Sequence, residues 1–92
     1  MHFVYVLKSR KDNSLYVGQT SNLPKRIEEH NTGKTRSLKA KIPMCLVYYE
    51  AYISKKDATK REWNLKHRGQ DREILIKQID NSNNIMPPSS SG

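Results

Sequence analysis

The chain has one cysteine among its 92 residues, Cys45, so an intrachain disulfide is impossible and a thiolate zinc cluster is excluded. Set in the apolar run Met44-Cys45-Leu46-Val47, that cysteine reads as a small buried hydrophobe rather than a nucleophile. Long apolar runs are also missing, and nothing approaches the roughly 20 residues needed to span a bilayer. The opening MHFVYVLKS is too short for a signal-peptide core and no small-residue cleavage site follows it, which makes the cytoplasm the expected compartment. There is no glycine-rich phosphate loop, no paired-carboxylate cluster, no H-E-x-x-H and no serine in a nucleophile-elbow context. Internal repeats and coiled-coil heptads are absent as well.

Acidic residues are scarce. Nine Asp and Glu stand against seventeen Lys and Arg, giving a formal charge of +8 and a pI near 9.8. On so small a body that field favours polyanions, nucleic acid first among them, although a basic surface alone is shared by many kinds of protein. Mean hydropathy of -0.87 and 35% hydrophobic residues suit a small domain with limited interior. The stretch from Asn81 onward (NSNNIMPPSSSG) has little to contribute to a core, so the expected organisation is one domain over 1–80 and a disordered tail over 81–92.

The pattern along the chain predicts an α+β fold in the order ββαβαα. Phe3 to Leu7 (FVYVL) reads as a strand covered on both faces, and Leu15 to Thr20 (LYVGQT) as its hairpin partner across the turn cluster Lys11-Asp12-Asn13-Ser14. Asn22 can cap a helix with Pro24 in its first turn, Leu23 and Ile27 as its inward stripe and Gly33 at its end. Lys34 to Lys41 (KTRSLKAK) lacks periodicity and predicts an exposed, mobile basic loop. Cys45 to Tyr52 reads as a third strand. Ser54 with Asp57 opens a helix running to about Arg68, where Gly69 can stop it, and Asp71 to Ile79 predicts a last helix burying Ile74, Leu75 and Ile79.

Few residues remain that could do chemistry. Tyr5 and Tyr16 are eleven residues apart, so they share a sheet face only if an even loop, such as Arg10 to Asn13, joins their strands. Read alone, they are ordinary sheet aromatics. Arg26 and His30, at i and i+4, read either as a solvated helix face or as a phosphate-binding guanidinium beside a proton acceptor. Glu62 could hold a magnesium ion, with waters and a substrate phosphate completing its shell. On spacing alone, Glu62 instead pairs with Lys66. Tyr48, Tyr49, Tyr52 and Trp63 are expected to help fill a core poor in Leu, Ile and Phe, the tyrosine hydroxyls reaching solvent.

These scattered residues fall into an ordered set. Val4-Tyr5-Val6 followed by Tyr16-Val17-Gly18 resembles the two signature tripeptides of the GIY-YIG nuclease superfamily. Thr20, Asn22, Leu23, Arg26, His30, Asn31 and Gly33 fall in the pattern Y-x-G-x-T-x-N-L-x-x-R-x-x-x-H-N-x-G. Pro43 to Glu50 and Ala58 to Lys66 are similar to the family's third strand and glutamate helix. The chain most resembles small stand-alone members, with the N-terminal nuclease module of the excinuclease and certain homing endonucleases as more distant relatives.

The resemblance implies a three-stranded antiparallel sheet flanked by helices and a metal-dependent endonuclease acting on nucleic acid, DNA more readily than RNA. It makes Tyr16 the general base, Tyr5 an organiser of water and phosphate, Arg26 the phosphate clamp and Glu62 the ligand of one Mg²⁺ or Mn²⁺. His30 would steer or deprotonate a tyrosine hydroxyl, and Gly18 would permit close backbone approach. Tyrosine's ordinary pKa is about 10, so a phenolate base at neutral pH needs cations nearby, supplying about 4 kcal/mol. Arg26, Lys34, Arg36, Lys39, Lys41 and Lys66 are the expected nucleic-acid contacts. Two positions depart from the pattern: Gln19 stands where relatives often carry lysine, and Ile74 where many carry asparagine. They keep open a non-catalytic nucleic-acid-binding module on the same fold, and in a chain this short sequence recognition is expected either to need a targeting protein partner or to be absent.

Overall fold

The structure, a computed structural model, describes residues 1–84. Strands β1 (His2–Ser9), β2 (Leu15–Thr20) and β3 (Met44–Tyr52) form an antiparallel sheet in the order β2-β1-β3. Helix α1 (Leu23–Asn31) and a 3₁₀ helix (Arg36–Lys41) lie between β2 and β3, and α2 (Lys55–His67) and α3 (Gly69–Asn84) follow. This is the α+β architecture and ββαβαα order that the pattern predicts, with one extra short element. Helix α3 (Gly69–Asn84) runs past residue 80 into the segment expected as a tail over 81–92, of which 85–92 lie outside the described residues.

Being central, β1 is covered on both sides, and its alternation divides the interior in two. Val4 and Val6 join Val17, Ala58, Leu65, Leu75 and Ile79 in an aliphatic cluster beneath α2 and α3. Tyr5 and Leu7 point the other way, to Leu23, Leu38 and Met44 beneath α1 and the 3₁₀ helix. Between Val6 and Leu7 the β1–β3 register shifts: Val6 pairs with Tyr48 but Leu7 with Leu46. The surplus residue, Val47, packs beside Tyr48 on the aliphatic cluster, as a bulge allows.

Local chemistry sets the element ends. The Asn22 side chain accepts the Lys25 N–H, capping α1, and Pro24 occupies its first turn. Beyond α1, Gly33 sits at φ +83°, in the left-handed region where glycine carries no Cβ penalty. Ser54 caps α2 by accepting from Lys56 and Asp57. The hairpin turn is pinned by the fully buried Ser9, whose Oγ donates to the Lys41 carbonyl at 2.7 Å and accepts the N–H groups of Lys11 and Asp12. Asn31 anchors the start of β3: its amide donates to the Met44 carbonyl and accepts the Met44 N–H, as a neighbouring strand would.

Several expectations are corrected. The basic segment is not a mobile loop, because Leu38 inserts into the cluster of Tyr5, Leu7, Leu23 and Met44 and turns it into a 3₁₀ helix. Ile74 is 53% exposed, the inward side of α3 being carried by Leu75 and Ile79. Trp63 is 56% exposed rather than packed into the core. Cys45 is half-buried, with Arg10 donating to its sulfur at 3.4 Å. Tyr48 and Tyr52 give their hydroxyls to Glu50 and not to solvent, and Arg61 closes the same carboxylate through Nε and Nη2 at 3.0 Å each. Of the tyrosines on β3, only Tyr49 is exposed; it meets Phe3 edge-on at 6.0 Å.

Candidate active site

Strand register decides where the two signature tyrosines go. Tyr5 lies opposite Gly18, and Tyr16 opposite Leu7. Because Leu7 is two residues from Tyr5, both hydroxyl-bearing rings stand on the α1 face as diagonal neighbours, 6.4 Å apart. The even loop this requires is present: Ser9 N–H donates to the Ser14 carbonyl, leaving Arg10 to Asn13 as the turn, with Asn13 at φ 64°. Gly18 faces the same way, and a Cβ there would overlap the Tyr5 Oη and Cζ and reach 3.1 Å from the Tyr16 ring. No side chain can occupy that position without displacing a tyrosine.

His30 completes the group from α1. Its Nε2 is 2.8 Å from the Tyr5 hydroxyl, its Nδ1 2.6 Å from Thr35 Oγ1, and its ring meets Tyr16 edge-on at 5.2 Å. Both Tyr5 and His30 are 1% exposed, so this side of α1 is buried and not a solvated face. Burial is the main cause that pushes the Tyr5 hydroxyl well above its ordinary value; Tyr16 adds to it, Arg26 opposes it, and Glu62 and Glu29 raise it further. Burial and then the Arg26 charge hold His30 below its ordinary value, against a smaller pull from Glu29. Tyr5 therefore keeps its proton and His30 stays neutral. The tyrosine hydroxyl that His30 contacts is Tyr5's.

Glu62 arrives from the opposite layer. It sits on α2, and its Oε1 accepts from Gln19 Nε2 at 3.0 Å and its Oε2 from Lys66 Nζ at 2.8 Å. Gln19 is next to Gly18 on β2, an edge strand, and with its side chain turned toward α2 it joins that strand to the Glu62 carboxylate. Arg26 from α1 and Glu62 from α2 shift Tyr5 in opposite directions, Arg26 lowering it and Glu62 raising it. Gln19 also lines a shallow depression of about 300 Å³ together with His2, Thr20, Ser21, Arg26 and Lys55. Arg26 is 43% exposed there and holds Glu29 at 3.4 Å, a loose pair that a phosphate could displace.

Of the remaining basic residues singled out from the sequence, Lys34, Arg36 and Lys39 are exposed. Lys66 is tied to Glu62, and Lys41 is tied to the hairpin, donating to Asp12 at 2.9 Å and Ser14 at 3.1 Å. Among the described residues no three His, Cys, Asp or Glu side chains gather to hold a metal, and the carboxylates that act on Tyr5 are Glu62 and the Arg26-paired Glu29.

Three residues of this arrangement are not marked as functional by the sequence. Thr35 sits in an aperiodic basic stretch with nothing to distinguish it. Gln19 stands out in the sequence only as a lost cation, although strict alternation with Val17 already turns it toward α2. Lys55 has no signal beyond its charge.

The model of the GIY-YIG catalytic domain matches residues 1–75. The chain belongs to the GIY-YIG family. It is 47% identical over 76 residues to a UPF0213 protein of Staphylococcus haemolyticus, covering 82% of this chain and 92% of that one. It is 40% identical over 77 residues to a UPF0213 protein of Clostridium perfringens, covering 83% of this chain and 82% of that one. The solution NMR structure of a UPF0213 protein from Bacillus halodurans superposes with a TM-score of 0.51 at 33% identity, covering 82% of each chain. These GIY-YIG relatives are small proteins of similar extent. Membership implies nuclease-type chemistry on nucleic acid with a divalent metal, and no helix of the described residues is long and apolar enough to cross a membrane.

Proposed function

We propose that this GIY-YIG chain is an endonuclease that hydrolyses nucleic-acid phosphodiester bonds, DNA more readily than RNA, with Tyr16 as general base. The observation that carries the reading is the cluster of Tyr5, Tyr16 and His30 beside Gly18, with the next residue of the β2 edge, Gln19, bonded to Glu62 and lining one depression with Arg26. Burial separates the roles of the tyrosines. Tyr5 is sealed and holds its proton, which suits positioning, whereas Tyr16 is only partly buried and can meet a water molecule.

In the proposed step the water oxygen bonds to phosphorus as its proton passes to the Tyr16 phenolate, and the bond from phosphorus to the leaving sugar oxygen breaks. Arg26 pairs with the non-bridging oxygens of the phosphate. Gly18 lets the Tyr5 ring lie directly over the β2 backbone beside Tyr16, which fixes the two hydroxyl-bearing rings relative to each other. The donor set fits Mg²⁺ or Mn²⁺, since such an ion takes one carboxylate and fills its remaining positions with water and phosphate oxygens. Gln19 and Lys66 hold the Glu62 carboxylate in place for that purpose. When bound, the ion would stabilise charge on the transition state and on the leaving oxygen.

One observation favours a second reading, a module that binds nucleic acid without cutting it: both oxygens of Glu62 are already engaged, one by Gln19 at the position where relatives often carry lysine. Purified protein incubated with DNA and Mg²⁺ or Mn²⁺ separates the two. Metal-dependent product from the wild type and none from Glu62→Ala is the expected result. Equal product from both would remove Glu62 from the reaction, and binding with no product from either would favour the second reading.

A further inference from the structure

The outer face of α2 carries a basic aromatic surface that the proposed chemistry does not use. Lys55, Lys56, Thr59, Lys60, Trp63 and Asn64 line an open depression of about 690 Å³, and Trp63 forms its wall. One turn further on, His67 lies against the indole with ring centroids 4.6 Å apart and planes tilted by 35°. His67 is on the C-terminal side of Trp63 and the depression on its N-terminal side. The indole is thus backed on one side and open on the other.

The charges on this face are unspent. Elsewhere on α2, Arg61 is committed to Glu50 and Lys66 to Glu62, whereas Lys55, Lys56 and Lys60 make no ion pair among the described residues. No acidic side chain lines the depression. Its apolar content is the indole and the aliphatic stems of lysines, which is the composition of a surface that stacks a flat ring between phosphates. The surface is also continuous with the candidate active site. Lys55 lines both this depression and the one holding Arg26 and Gln19, and Thr59 exchanges hydrogen bonds with Gln19 at 3.2 and 3.3 Å.

We propose that the outer face of α2 is a docking site for single-stranded nucleic acid, on which Trp63 stacks one unpaired base while Lys55, Lys56 and Lys60 hold the flanking phosphates. A strand lying there passes Lys55 on its way to Arg26, so an unpaired base seated on Trp63 positions the neighbouring phosphate for the β2 edge. A continuous duplex has its bases stacked on one another and offers the indole nothing. The inference deepens the nuclease reading by naming the form of substrate, and takes from it only that the ligand is nucleic acid.

Trp63 is the sole tryptophan, so its emission reports this position directly. With EDTA present, so that nothing is cleaved, the full chain is titrated with a short single-stranded DNA, the matching duplex and a poly-glutamate peptide, and binding is followed in parallel by anisotropy of labelled strands. The single strand is expected to quench Trp63 more strongly than the duplex. Trp63→Ala is expected to weaken single-strand binding about tenfold, as loss of one base stack does, with duplex binding unchanged. Trp63→Phe, which keeps a ring on the same exposed position, retains most of the single-strand affinity. Single-strand binding without quenching, equal affinities for Trp63→Ala and wild type, or equal quenching by the peptide would each overturn the proposal. Selective quenching by a single strand that the protein never cleaves with metal would support the docking site and remove only the nuclease reading.

Discussion

The two faces of the sheet are built from the same strands and equally buried, yet they are chemically unlike. Under α2 and α3 the interior is Val4, Val6, Val17, Ala58, Leu65, Leu75 and Ile79, with no polar atom among their side chains. Under α1, at the same depth, Tyr5 and His30 form a hydroxyl–imidazole contact at 2.8 Å continued to Thr35 at 2.6 Å. An aliphatic pair would fill that space without placing polar groups where each must find a partner. One face therefore serves to hold the fold, and the other combines packing with a constrained arrangement of groups that can move protons. Substitutions on the two faces should separate accordingly, stability failing on one and chemistry on the other.

The sharpest separation is expected at Tyr16→Phe. The hydroxyl is on the partly buried ring, so its removal leaves packing intact while deleting the proposed base. Cleavage should fall by about 10²- to 10⁴-fold with the urea midpoint unchanged. A variant that still cuts within a few-fold of wild type would assign the base to another group. Leu65→Ala is its counterpart on the aliphatic face. Leu65 is fully buried beneath α2, so its truncation should cost about 2 to 5 kcal/mol of stability, measured by denaturant unfolding. At temperatures where the variant remains folded, cleavage per folded molecule should stay close to wild type. A specific loss of turnover there would mean that α2 transmits packing changes to Glu62 and that the two faces are not independent.

Tyr5→Phe lies between these extremes and tests whether the polar face also contributes to stability. It removes one oxygen from a sealed site and leaves His30 Nε2 facing a ring edge, which should cost about 1 to 3 kcal/mol. Unlike Tyr16→Phe, it should lower stability and turnover together. A neutral effect on stability would show that water replaces the hydroxyl, and that the site is less tightly closed than 1% exposure implies.

Much of this division can be read in the sequence, because period-two alternation in FVYVL and LYVGQT separates Val4, Val6 and Val17 from Tyr5, Tyr16 and Gly18 once the four-residue turn is chosen. The caps at Asn22 and Ser54 follow from short-range chemistry in the same way. The features that the sequence hides depend on contacts between distant segments. Leu38 is one leucine in a basic stretch, and only the cavity left by Tyr5, Leu7, Leu23 and Met44 turns it into an anchor. Glu50 has Tyr48 and Tyr52 beside it on the strand, but the cation that balances its charge, Arg61, comes from α2 and is not marked by local sequence. Hydrophobicity alone assigns Trp63 to the core, but the buried stripe of α2 is already filled by Ala58 and Leu65.

The smallest expected effect uses pH to tell the faces apart. Burial, reinforced by Arg26, holds folded His30 below its ordinary value of 6.5. As pH falls below about 6.5 the unfolded chain takes up a proton at His30 that the folded chain refuses, so the unfolded state binds more protons and stability declines. Glu50 acts in a lower window. Burial pushes its carboxyl up, but the hydrogen bonds from Arg61, Tyr48 and Tyr52 outweigh it and hold the group below 4.5. The stability from that cluster is present above 4.5 and is lost as pH falls through the folded value. Urea midpoints taken from pH 7.5 downward should thus begin to drop near 6.5 and drop again in the carboxylate range. In His30→Gln the first decline should shrink while the second persists, because Glu50 belongs to the α2 face and does not contact His30. A first decline of undiminished size in that variant would mean that another group on the α1 face takes up the proton.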